Sequence, residues 1–499
     1  MPSVNIPSSI FKAYDIRGLV ESELSPELAY SIGRAFVIWL RQHSIILDDR
    51  YLVVGRDMRP SSEPFQKEVM RGITDEGVNV IDIGLASTPL FNFAVAHYLE
   101  HAGGIMITAS HNPAEYNGFK ITLENGLPLG KNNGMDELRD IVLGGNETPF
   151  NPLFKRGGGG YPTPQQHEVG EGSISPSSKE GARGSSKGTI TQKNVFEDYL
   201  TKIFSIVPQN SIKPCKIIVD AGNGMAKVTL PKVLEKLPVE VEYLYLEPDG
   251  TFPNHEANPL KTETLKDLQE KVIETGAAFG FALDGDCDRV GLVDEKGNVV
   301  DASFVGALIG CEVLRQHPRS FMLYDLRSSM ILKEVWEANG ATTAMCKVGH
   351  ANIKANMIES NAAFASELSL HLYYHDFYNV ECSDLSLLYI LSIISREQKP
   401  LGELIQPFKK YFHSGEINFE AQNKDEVMKA AEDRYRDEAL EISHLDGLWM
   451  KFEWGWVSVR ASNTEPVMRL NLEARSEEAV KMKIREFSTL LIDKKWSVD

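Results

Sequence analysis

Apolar runs and amphipathic stretches alternate along most of this chain. The first helix is predicted after Ser25-Pro26, because Leu28, Ile32, Phe36 and Trp39 recur at helical spacing. Short apolar runs typical of buried strands lie at Tyr51–Val54, Val78–Ile83, Ile217–Asp220, Val239–Tyr245, Ala277–Leu283 and Phe321–Leu323. Further helices are predicted from Thr88 to about Tyr98, at Phe304–Arg315 and at Ser329–Asn339. This alternation predicts three α/β domains with mixed, largely parallel sheets.

The last part of the chain has a different order of elements. A helix near Lys424–Asp437 is followed by strands at Leu448–Phe452, Trp456–Arg460 and Met468–Glu473, and then by a helix at Ser476–Asp493. Successive strands flanked by helices predict a small C-terminal α+β domain.

A stretch of the chain between two α/β patterns is poor in apolar side chains. It contains Gly157–Gly160 and then mainly Ser, Pro, Gly, Lys and Gln, which cannot bury enough surface to offset the entropy of ordering. We therefore predict a flexible linker or insertion over 155–192. The α/β domains then span 1–154, 193–298 and 299–411, and the α+β domain spans 412–499.

Length and charge narrow the classes of function. At 499 residues the chain is too long for one hydrophobic core. Its 52 lysines and arginines against 70 aspartates and glutamates give a net charge of −18, which argues against nucleic acid or an anionic membrane as a partner. A small phosphorylated substrate needs only a local basic pocket inside such an acidic surface.

The cysteines and the hydropathy pattern indicate in which cellular compartment the protein is expected. The five cysteines are scattered and form no C-x-x-C pair, which favours a reducing environment without disulfides or zinc. The first residues lack a signal-peptide pattern, and no apolar run approaches the roughly 20 residues of a membrane span. We expect a soluble, cytoplasmic protein, either a monomer or a weak dimer.

Residues 105–120 contain the first candidate site. The apolar strand Ile105–Ile107 leads into a polar turn that presents Ser110 and His111, and Lys120 is expected at the start of the next strand. A hydroxyl at a rigid strand exit with a cation beside it is typical of a nucleophile or a phosphate carrier. Taken alone, the segment is equally consistent with a surface turn whose side chains only satisfy the backbone.

Three aspartates, Asp284, Asp286 and Asp288, alternate between two apolar runs and form the second candidate site. Such carboxylates repel one another unless a cation lies among them, and oxygen ligands favour Mg²⁺, with Mn²⁺ or Ca²⁺ as alternatives. An EF-hand does not fit, because Arg289 stands where that loop needs glycine and the flanks are predicted strands. A metal beside Arg289 can neutralise a phosphoryl group, and a phosphorylated Ser110 could supply it one oxygen, so the two motifs together indicate phosphoryl transfer.

Two more loops carry groups suited to a sugar phosphate. The loop after Val459 offers a guanidinium, hydroxyl groups and an amide, which are suited to a phosphate cradle, on Arg460, Ser462, Asn463 and Thr464. Taken alone, these residues are also typical of a simple turn. After the apolar run that begins at Phe364, a carboxylate, a hydroxyl and an imidazole stand at alternate positions, Glu367, Ser369 and His371. We predict that these three share one face of an extended chain and bind sugar hydroxyls.

In these motifs the chain resembles the α-D-phosphohexomutase family, and most of all its bacterial phosphomannomutase/phosphoglucomutase group. The matching segments occur in the family's order over nearly the whole chain outside the predicted linker: Lys12-Ala-Tyr-Asp-Ile-Arg-Gly18, Gly55-Arg-Asp57, Thr108-Ala-Ser-His-Asn-Pro113, Asp284-Gly-Asp-Cys-Asp-Arg289, Gly349-His350, Glu367-Leu-Ser-Leu-His371 and Arg460-Ala-Ser-Asn-Thr464. The resemblance implies four domains around a central active-site cleft. It also implies that a hexose 1-phosphate and its 6-phosphate interconvert through a hexose 1,6-bisphosphate, which serves as primer.

The resemblance assigns roles to residues of this chain. Phosphorylation of Ser110 and binding of Mg²⁺ by Ser110, Asp284, Asp286 and Asp288 are implied. Catalytic assistance is implied for Arg17, His111, Lys120 and Arg289. Contact with the substrate is implied for Tyr14, His350, Glu367, Ser369, His371, Arg460, Ser462, Asn463 and Thr464.

The sugar-binding loop departs from the family pattern Gly-Glu-x-Ser-Gly-His, since Ser366 and Leu370 replace its two glycines. If position 370 needs a positive φ, leucine is strained there. By the same resemblance, the retained His371 favours the mannose/glucose group over mutases that act on glucose alone. The alternatives are a phosphoglucosamine mutase, a sugar phosphatase that loses the serine phosphate to water, and a non-catalytic binder of sugar phosphates.

Overall fold

Residues 7–144, 187–420, 423–461 and 467–492 are described by the computed structural model of the chain. The predicted linker over 155–192 lies outside these ranges except for its last residues. Ile190–Gln192 form a strand that pairs in parallel with the strand Asn79–Leu85, so this end of the segment belongs to the first sheet and not to a linker.

The first domain begins with a helix whose start follows from its sequence. The Ser25 side chain accepts a hydrogen bond from the Leu28 N–H, and Pro26 occupies the first helical position, where its missing N–H costs nothing. The elements of this domain are strands β1 (Ile16–Leu19), β2 (Tyr51–Arg56), β3 (Asn79–Leu85), β4 (His101–Ile107), β5 (Tyr116–Leu123) and β6 (Ile190–Gln192), and helices α1 (Pro26–Gln42), α2 (Ser62–Asp75), α3 (Thr88–His97) and α4 (Met135–Val142). The sheet order is β1-β5-β4-β2-β3-β6.

The second and third domains repeat the alternation of strands and helices. The second contains α5 (Phe196–Ile206), β7 (Cys215–Asp220), α6 (Ala226–Leu234), β8 (Val239–Leu244), α7 (Lys266–Thr275), β9 (Phe279–Leu283), β10 (Val290–Val293) and β11 (Val299–Val300). The third contains α8 (Ala302–Gln316), β12 (Phe321–Asp325), α9 (Met330–Ala338), β13 (Thr342–Cys346), α10 (His350–Ser360), β14 (Phe364–Ser366), β15 (Leu372–Tyr374), β16 (Val380–Glu381), α11 (Ser383–Glu397) and α12 (Leu401–Ile405).

The fourth domain is an antiparallel sheet with two helices, as predicted. It contains β17 (Phe412–His413), β18 (Ile417–Glu420), α13 (Lys424–Tyr435), β19 (Glu441–Ser443), β20 (Leu448–Phe452), β21 (Gly455–Ala461), β22 (Val467–Ala474) and α14 (Glu477–Ile492). Its own apolar core lies between the sheet and the helices. Trp456 packs towards the third domain, and its indole N–H donates to the buried Glu473 carboxylate, which also accepts from the Met330 N–H at 3.0 Å.

The first three domains share one arrangement of four strands. In each, three strands are parallel, the third lies beside the first, and a hairpin returns antiparallel from the third strand: β5-β4-β2-β3, β10-β9-β7-β8 and β15-β14-β12-β13. The three hairpin loops fall at 108–115, 284–289 and 367–371. The serine, aspartate and sugar-binding motifs therefore occupy the same position in three copies of one unit.

A continuous apolar core fixes these three domains against one another. Phe93 on α3, Tyr199 on α5 and Phe377 of the third domain lie within 6.1 Å of one another, centroid to centroid. All three rings are buried in the largest apolar cluster of the described residues. Among those residues, no helix has both the length and the apolar character to cross a membrane.

Candidate active site

Ser110 lies near the start of the first hairpin loop and faces the second one. Its Oγ donates a hydrogen bond of 2.7 Å to Asp284 Oδ2 and lies 3.2 Å from His111 Nδ1. The residue is buried and has a φ of +51°, a conformation that is uncommon for a residue with a side chain. Such strain at a buried serine that faces a carboxylate fits a pre-organised nucleophile better than an ordinary surface turn.

Arg59, which the sequence analysis did not single out, holds this loop in place. Its guanidinium donates to the backbone carbonyls of Ser110 at 3.0 Å, Asn112 at 2.6 Å, Pro113 at 2.6 Å and Tyr116 at 2.9 Å. The side chain is fully buried and pairs with Asp57 at 3.2 Å. A rigid five-donor fork satisfies four carbonyls at once, so the loop backbone is fixed independently of its side chains.

We predict that Arg59→Lys lowers kcat about 10- to 100-fold, because a single ammonium cannot hold four carbonyls and a shift of the serine by about 1 Å has a cost of this size. The stability of the protein should also fall, by about 2–4 kcal/mol, since buried carbonyls lose their partner. Steady-state kinetics and urea unfolding measure the two effects. Arg315→Lys, at an exposed position, is the control, and an Arg59→Lys enzyme with unchanged kcat would contradict the role assigned to Arg59.

The three aspartates converge with Lys120 beneath Ser110. Their carboxylate oxygens lie within 4.8 Å of one another, and all three residues are buried. Lys120 Nζ donates to Asp286 Oδ2 and to Asp288 Oδ2 at 2.6 Å each. Lys120 lies in the middle of β5, which begins at Tyr116, and not at the start of that strand as the sequence analysis expected.

The electrostatics of this cluster suit a bound cation. Burial, together with the neighbouring Asp288 and Asp286, raises the pKa of Asp284 well above its usual value. Burial alone would lower the pKa of Lys120, but the two carboxylates it contacts outweigh burial and raise it. Asp286 Oδ1 is buried without a hydrogen-bond partner. A site of oxygen ligands with an unpaired buried carboxylate oxygen fits a hard divalent metal ion.

Three further predicted catalytic residues surround Ser110. Arg17, on β1 opposite Gly118 of β5, donates to Asn112 Oδ1 at 2.8 Å. Arg289 Nε lies 3.9 Å from Asp284 Oδ2. Burial and the adjacent Arg289 and Arg17 hold the pKa of His111 well below its usual value, so its imidazole is neutral at neutral pH. Arg17 and Arg289 thus contact two neighbours of Ser110, Asn112 and Asp284, and a neutral base lies beside the serine oxygen.

The sugar-binding loop contacts the metal loop, although its shape differs from the prediction. Residues 367–370 form the turn of the β14–β15 hairpin and are not extended, since the Leu370 N–H donates to the Glu367 carbonyl at 3.1 Å. The turn brings His371 within 3.3 Å of Glu367 and of Asp288, and Ser369 Oγ within 2.8 Å of the His371 ring. Burial would lower the pKa of His371, but Asp288 and Glu367 raise it to about 9.

The two departures in this loop have structural explanations. Leu370 has a φ of +71°, so the strain predicted for a side chain at this position is present. Ser366, the other replacement, faces Gly306 on α8, where an added Cβ would lie 2.2 Å from the Ser366 Oγ. The missing side chain at position 306 therefore makes room for the serine hydroxyl.

Because of this strain, we predict that Leu370→Gly is more stable than Leu370→Ala by about 1 kcal/mol, since both variants lose the leucine side chain but only alanine keeps the left-handed penalty. The unfolding free energies of the two variants in urea give the difference directly. The same pair at Leu372 in β15, which has ordinary strand geometry, should give the opposite order. An alanine variant at least as stable as the glycine variant at 370 would contradict this prediction.

The remaining predicted substrate residues lie around the sugar-binding loop. Tyr14 donates to the Val348 carbonyl at 3.0 Å, and its ring meets the His350 ring edge-on at 5.4 Å. Arg460 is buried on β21 and contacts Glu416 at 3.0 Å. The other predicted phosphate ligands, Ser462, Asn463 and Thr464, lie outside the described residues.

Arg327 is a second residue that the sequence analysis missed. It follows β12, is almost fully buried, and pairs with Asp325 at 2.7 Å and with Glu367 at 3.3 Å. Through Glu416, 3.7 Å away, it also links the sugar-binding loop to Arg460. An isolated arginine after a strand gives no motif, so the sequence offered no signal for it except its place at the carboxyl end of a parallel strand.

Comparison with known proteins gives consistent matches over this whole architecture. Four family models match in order, described as phosphoglucomutase/phosphomannomutase alpha/beta/alpha domains I, II and III and the C-terminal domain, over residues 8–148, 195–297, 301–411 and 416–487. A phosphomannomutase of Salmonella typhimurium is 34% identical over 94% of this chain and 95% of its own length. A phosphomannomutase/phosphoglucomutase of Pseudomonas syringae pv. tomato is 34% identical over 95% and 92%. The crystal structure of a phosphoglucomutase/phosphomannomutase family protein from Burkholderia thailandensis superposes with a TM-score of 0.84, at 29% identity and 99% coverage of both chains.

Proposed function

Since this chain belongs to the phosphoglucomutase/phosphomannomutase family of hexose-phosphate mutases, we propose that it interconverts the 1- and 6-phosphates of mannose or glucose through phosphorylated Ser110. The observation that carries the proposal is the contact of 2.7 Å between Ser110 Oγ and Asp284, where the serine loop of one domain meets the metal-type loop of the next. A serine phosphate formed there would lie between Lys120, Arg17 and Arg289. These cations offset the charge of a phosphoryl group during its transfer.

Asp284, Asp286 and Asp288 would hold Mg²⁺ together with an oxygen of the serine phosphate. When bound, the ion neutralises phosphoryl charge as a Lewis acid. Mg²⁺ fits better than Zn²⁺, because all three side chains offer oxygen and the described neighbours offer no thiolate to the cluster.

In the forward direction, phosphorylated Ser110 donates its phosphoryl group to the free hydroxyl of the hexose phosphate. The bond from the serine oxygen to phosphorus breaks while a bond from the sugar oxygen forms, the sugar hydroxyl loses its proton, and the serine oxygen gains one. His111 Nδ1 lies 3.2 Å from the serine oxygen and is placed to exchange that proton. The resulting 1,6-bisphosphate then reorients in the site and transfers its other phosphoryl group to Ser110.

The sugar and the second phosphate would be held by the other two loops. Glu367, Ser369 and His371 offer acceptors and donors to the sugar hydroxyls beside the metal-type loop, and Tyr14 and His350 would close the other side. Arg460 would bind the phosphate that does not react. Because that guanidinium recognises a phosphate and not a sugar, it accepts either orientation of the bisphosphate.

Incubation with mannose 1-phosphate or glucose 1-phosphate, Mg²⁺ and a hexose 1,6-bisphosphate primer tests the proposal. Appearance of the 6-phosphate supports the mutase, whereas release of inorganic phosphate alone would identify a phosphatase and overturn it. Glucosamine 1-phosphate in the same assay tests the alternative that the enzyme is a phosphoglucosamine mutase. The free cysteines of the described residues agree with the proposed cytoplasmic location.

A further inference from the structure

Glu416 lies where a phosphate would be expected to bind. Its carboxylate is 3.0 Å from Arg460, 3.3 Å from Arg469 and 3.7 Å from Arg327. Arg460 and Arg469 belong to the fourth domain and Arg327 to the third, so one carboxylate joins cations from both domains. The surroundings of Glu416 thus match those of a bound anion and not those of an ordinary surface ion pair.

The charge balance at this point favours a second anion. Burial, and after it the like charge of the neighbouring Arg327, lower the pKa of Arg460. The Nε groups of Arg327 and Arg460 are buried and make no hydrogen bond among the described residues. Asp325 and Glu367 compensate Arg327 from the other side. Asp446 adds a further negative charge near Arg460, and Glu416 is the carboxylate that contacts the Arg460 guanidinium directly. Unused guanidinium donors of this kind suit the several oxygens of a phosphate.

The position of Glu416 in the chain allows its side chain to move away from the three arginines without a shift of the backbone. It lies between β17 and β18, near the start of the fourth domain. The backbone before it is fixed, because the Ser414 N–H donates to the Leu472 carbonyl and the Ser414 Oγ accepts from the Leu472 N–H. The side chain itself is 29% exposed and borders solvent.

We propose that Glu416 is an internal competitor for the substrate phosphate: its carboxylate occupies the guanidinium groups of Arg460, Arg327 and Arg469 until a phosphate displaces it. The inference rests on the proposed function, because it concerns the phosphate-binding end of that site. A phosphate carries about two charges and displaces one carboxylate, but it must overcome the repulsion and the ion pairs that Glu416 provides. Glu416 thereby weakens the hold on every phosphate. The bisphosphate must release this phosphate and reorient before the second transfer, and a lower affinity for the phosphate speeds that release.

Inorganic phosphate, titrated without sugar or metal and followed by calorimetry, tests this role. Glu416→Gln keeps the shape but removes the charge, and it is expected to bind phosphate about tenfold more tightly than the unchanged protein, with a lower KM and a lower kcat for the hexose phosphate. Glu420→Gln on β18 removes the same charge from an exposed side chain on the adjoining strand and should leave the affinity unchanged.

Combination with Arg460→Ala locates the effect, because the gain from Glu416→Gln should disappear once its guanidinium partner is absent. Equal or weaker phosphate binding by Glu416→Gln, or a gain that persists with Arg460→Ala, would overturn the inference. Thermal unfolding of each variant checks that the fold is intact. The titration needs no turnover, so a protein without mutase activity would overturn the proposed function and still decide the role of Glu416.

Discussion

Ser110→Ala is expected to reduce turnover by about four orders of magnitude or more, because no other described group occupies the position from which a phosphoryl group would be carried. The fold should survive, since Arg59 holds the loop through its backbone carbonyls and not through the serine side chain. The rate is measured as the formation of the 6-phosphate from the 1-phosphate in the presence of Mg²⁺ and the bisphosphate primer. Intact mass measurement should show a phosphoryl group on the unchanged protein after incubation with the bisphosphate, and none on the variant.

Ser360→Ala at the exposed end of α10 is the matched control and should keep full activity and full labelling. Phosphopeptide mapping should place the label on Ser110. Full turnover by Ser110→Ala would rule out a serine phosphate as the carrier, whatever the products of the reaction.

Removal of the divalent ion is expected to have an effect of comparable size. Dialysis against a chelator should abolish turnover, and Mg²⁺ should restore it, because the buried carboxylates then regain the cation that offsets phosphoryl charge. Stability provides a second readout that needs no substrate. Added Mg²⁺ should raise the thermal midpoint of the unchanged protein, since an ion that binds only the folded state stabilises it.

Asp284→Asn should lose both responses, because Asp284 is a predicted ligand and also accepts the hydrogen bond from Ser110. Asp433→Asn on the exposed face of α13 removes one carboxylate elsewhere and should retain both. If the chelated protein stayed fully active, or if Mg²⁺ raised the midpoint of Asp284→Asn as much as that of the unchanged protein, the assignment of the metal site would fail.

Most helices and strands could be predicted from the sequence because their signals are local. The pattern of Leu28, Ile32 and Phe36 lies within one helix, and the apolar runs on either side of the aspartates are the two strands of one hairpin. The strand Ile190–Gln192 was missed because it is short, fully exposed and stabilised only by pairing with β3. Its sequence alone contains no signal that outweighs the polar segment before it.

The functional residues could be predicted where they lie together in a short sequence motif, as at Ser110 and the three aspartates. Arg59, Arg327 and Glu416 could not be found in this way. Each acts through partners that are distant in sequence; Arg59 and Ser110, for example, are 51 positions apart. The role of each therefore depends on the fold and not on its neighbours in the chain. The turn at Glu367 was predicted as extended because alternation along a strand and closure of a tight hairpin place the same side chains together.

The three equivalent hairpins have a consequence for how this enzyme can change. Each hairpin loop has a residue with left-handed backbone geometry, Ser110, Cys287 and Leu370 respectively. The same strand arrangement thus presents different functional side chains in its three copies. Under the proposed function, the three copies would serve separately for phosphoryl transfer, charge compensation and sugar recognition. Both glycine replacements lie in the third copy, at Ser366 and Leu370, while the first two keep the family's motifs. We therefore expect substitutions in the third copy to change substrate choice while the residues proposed to move the phosphoryl group stay unchanged.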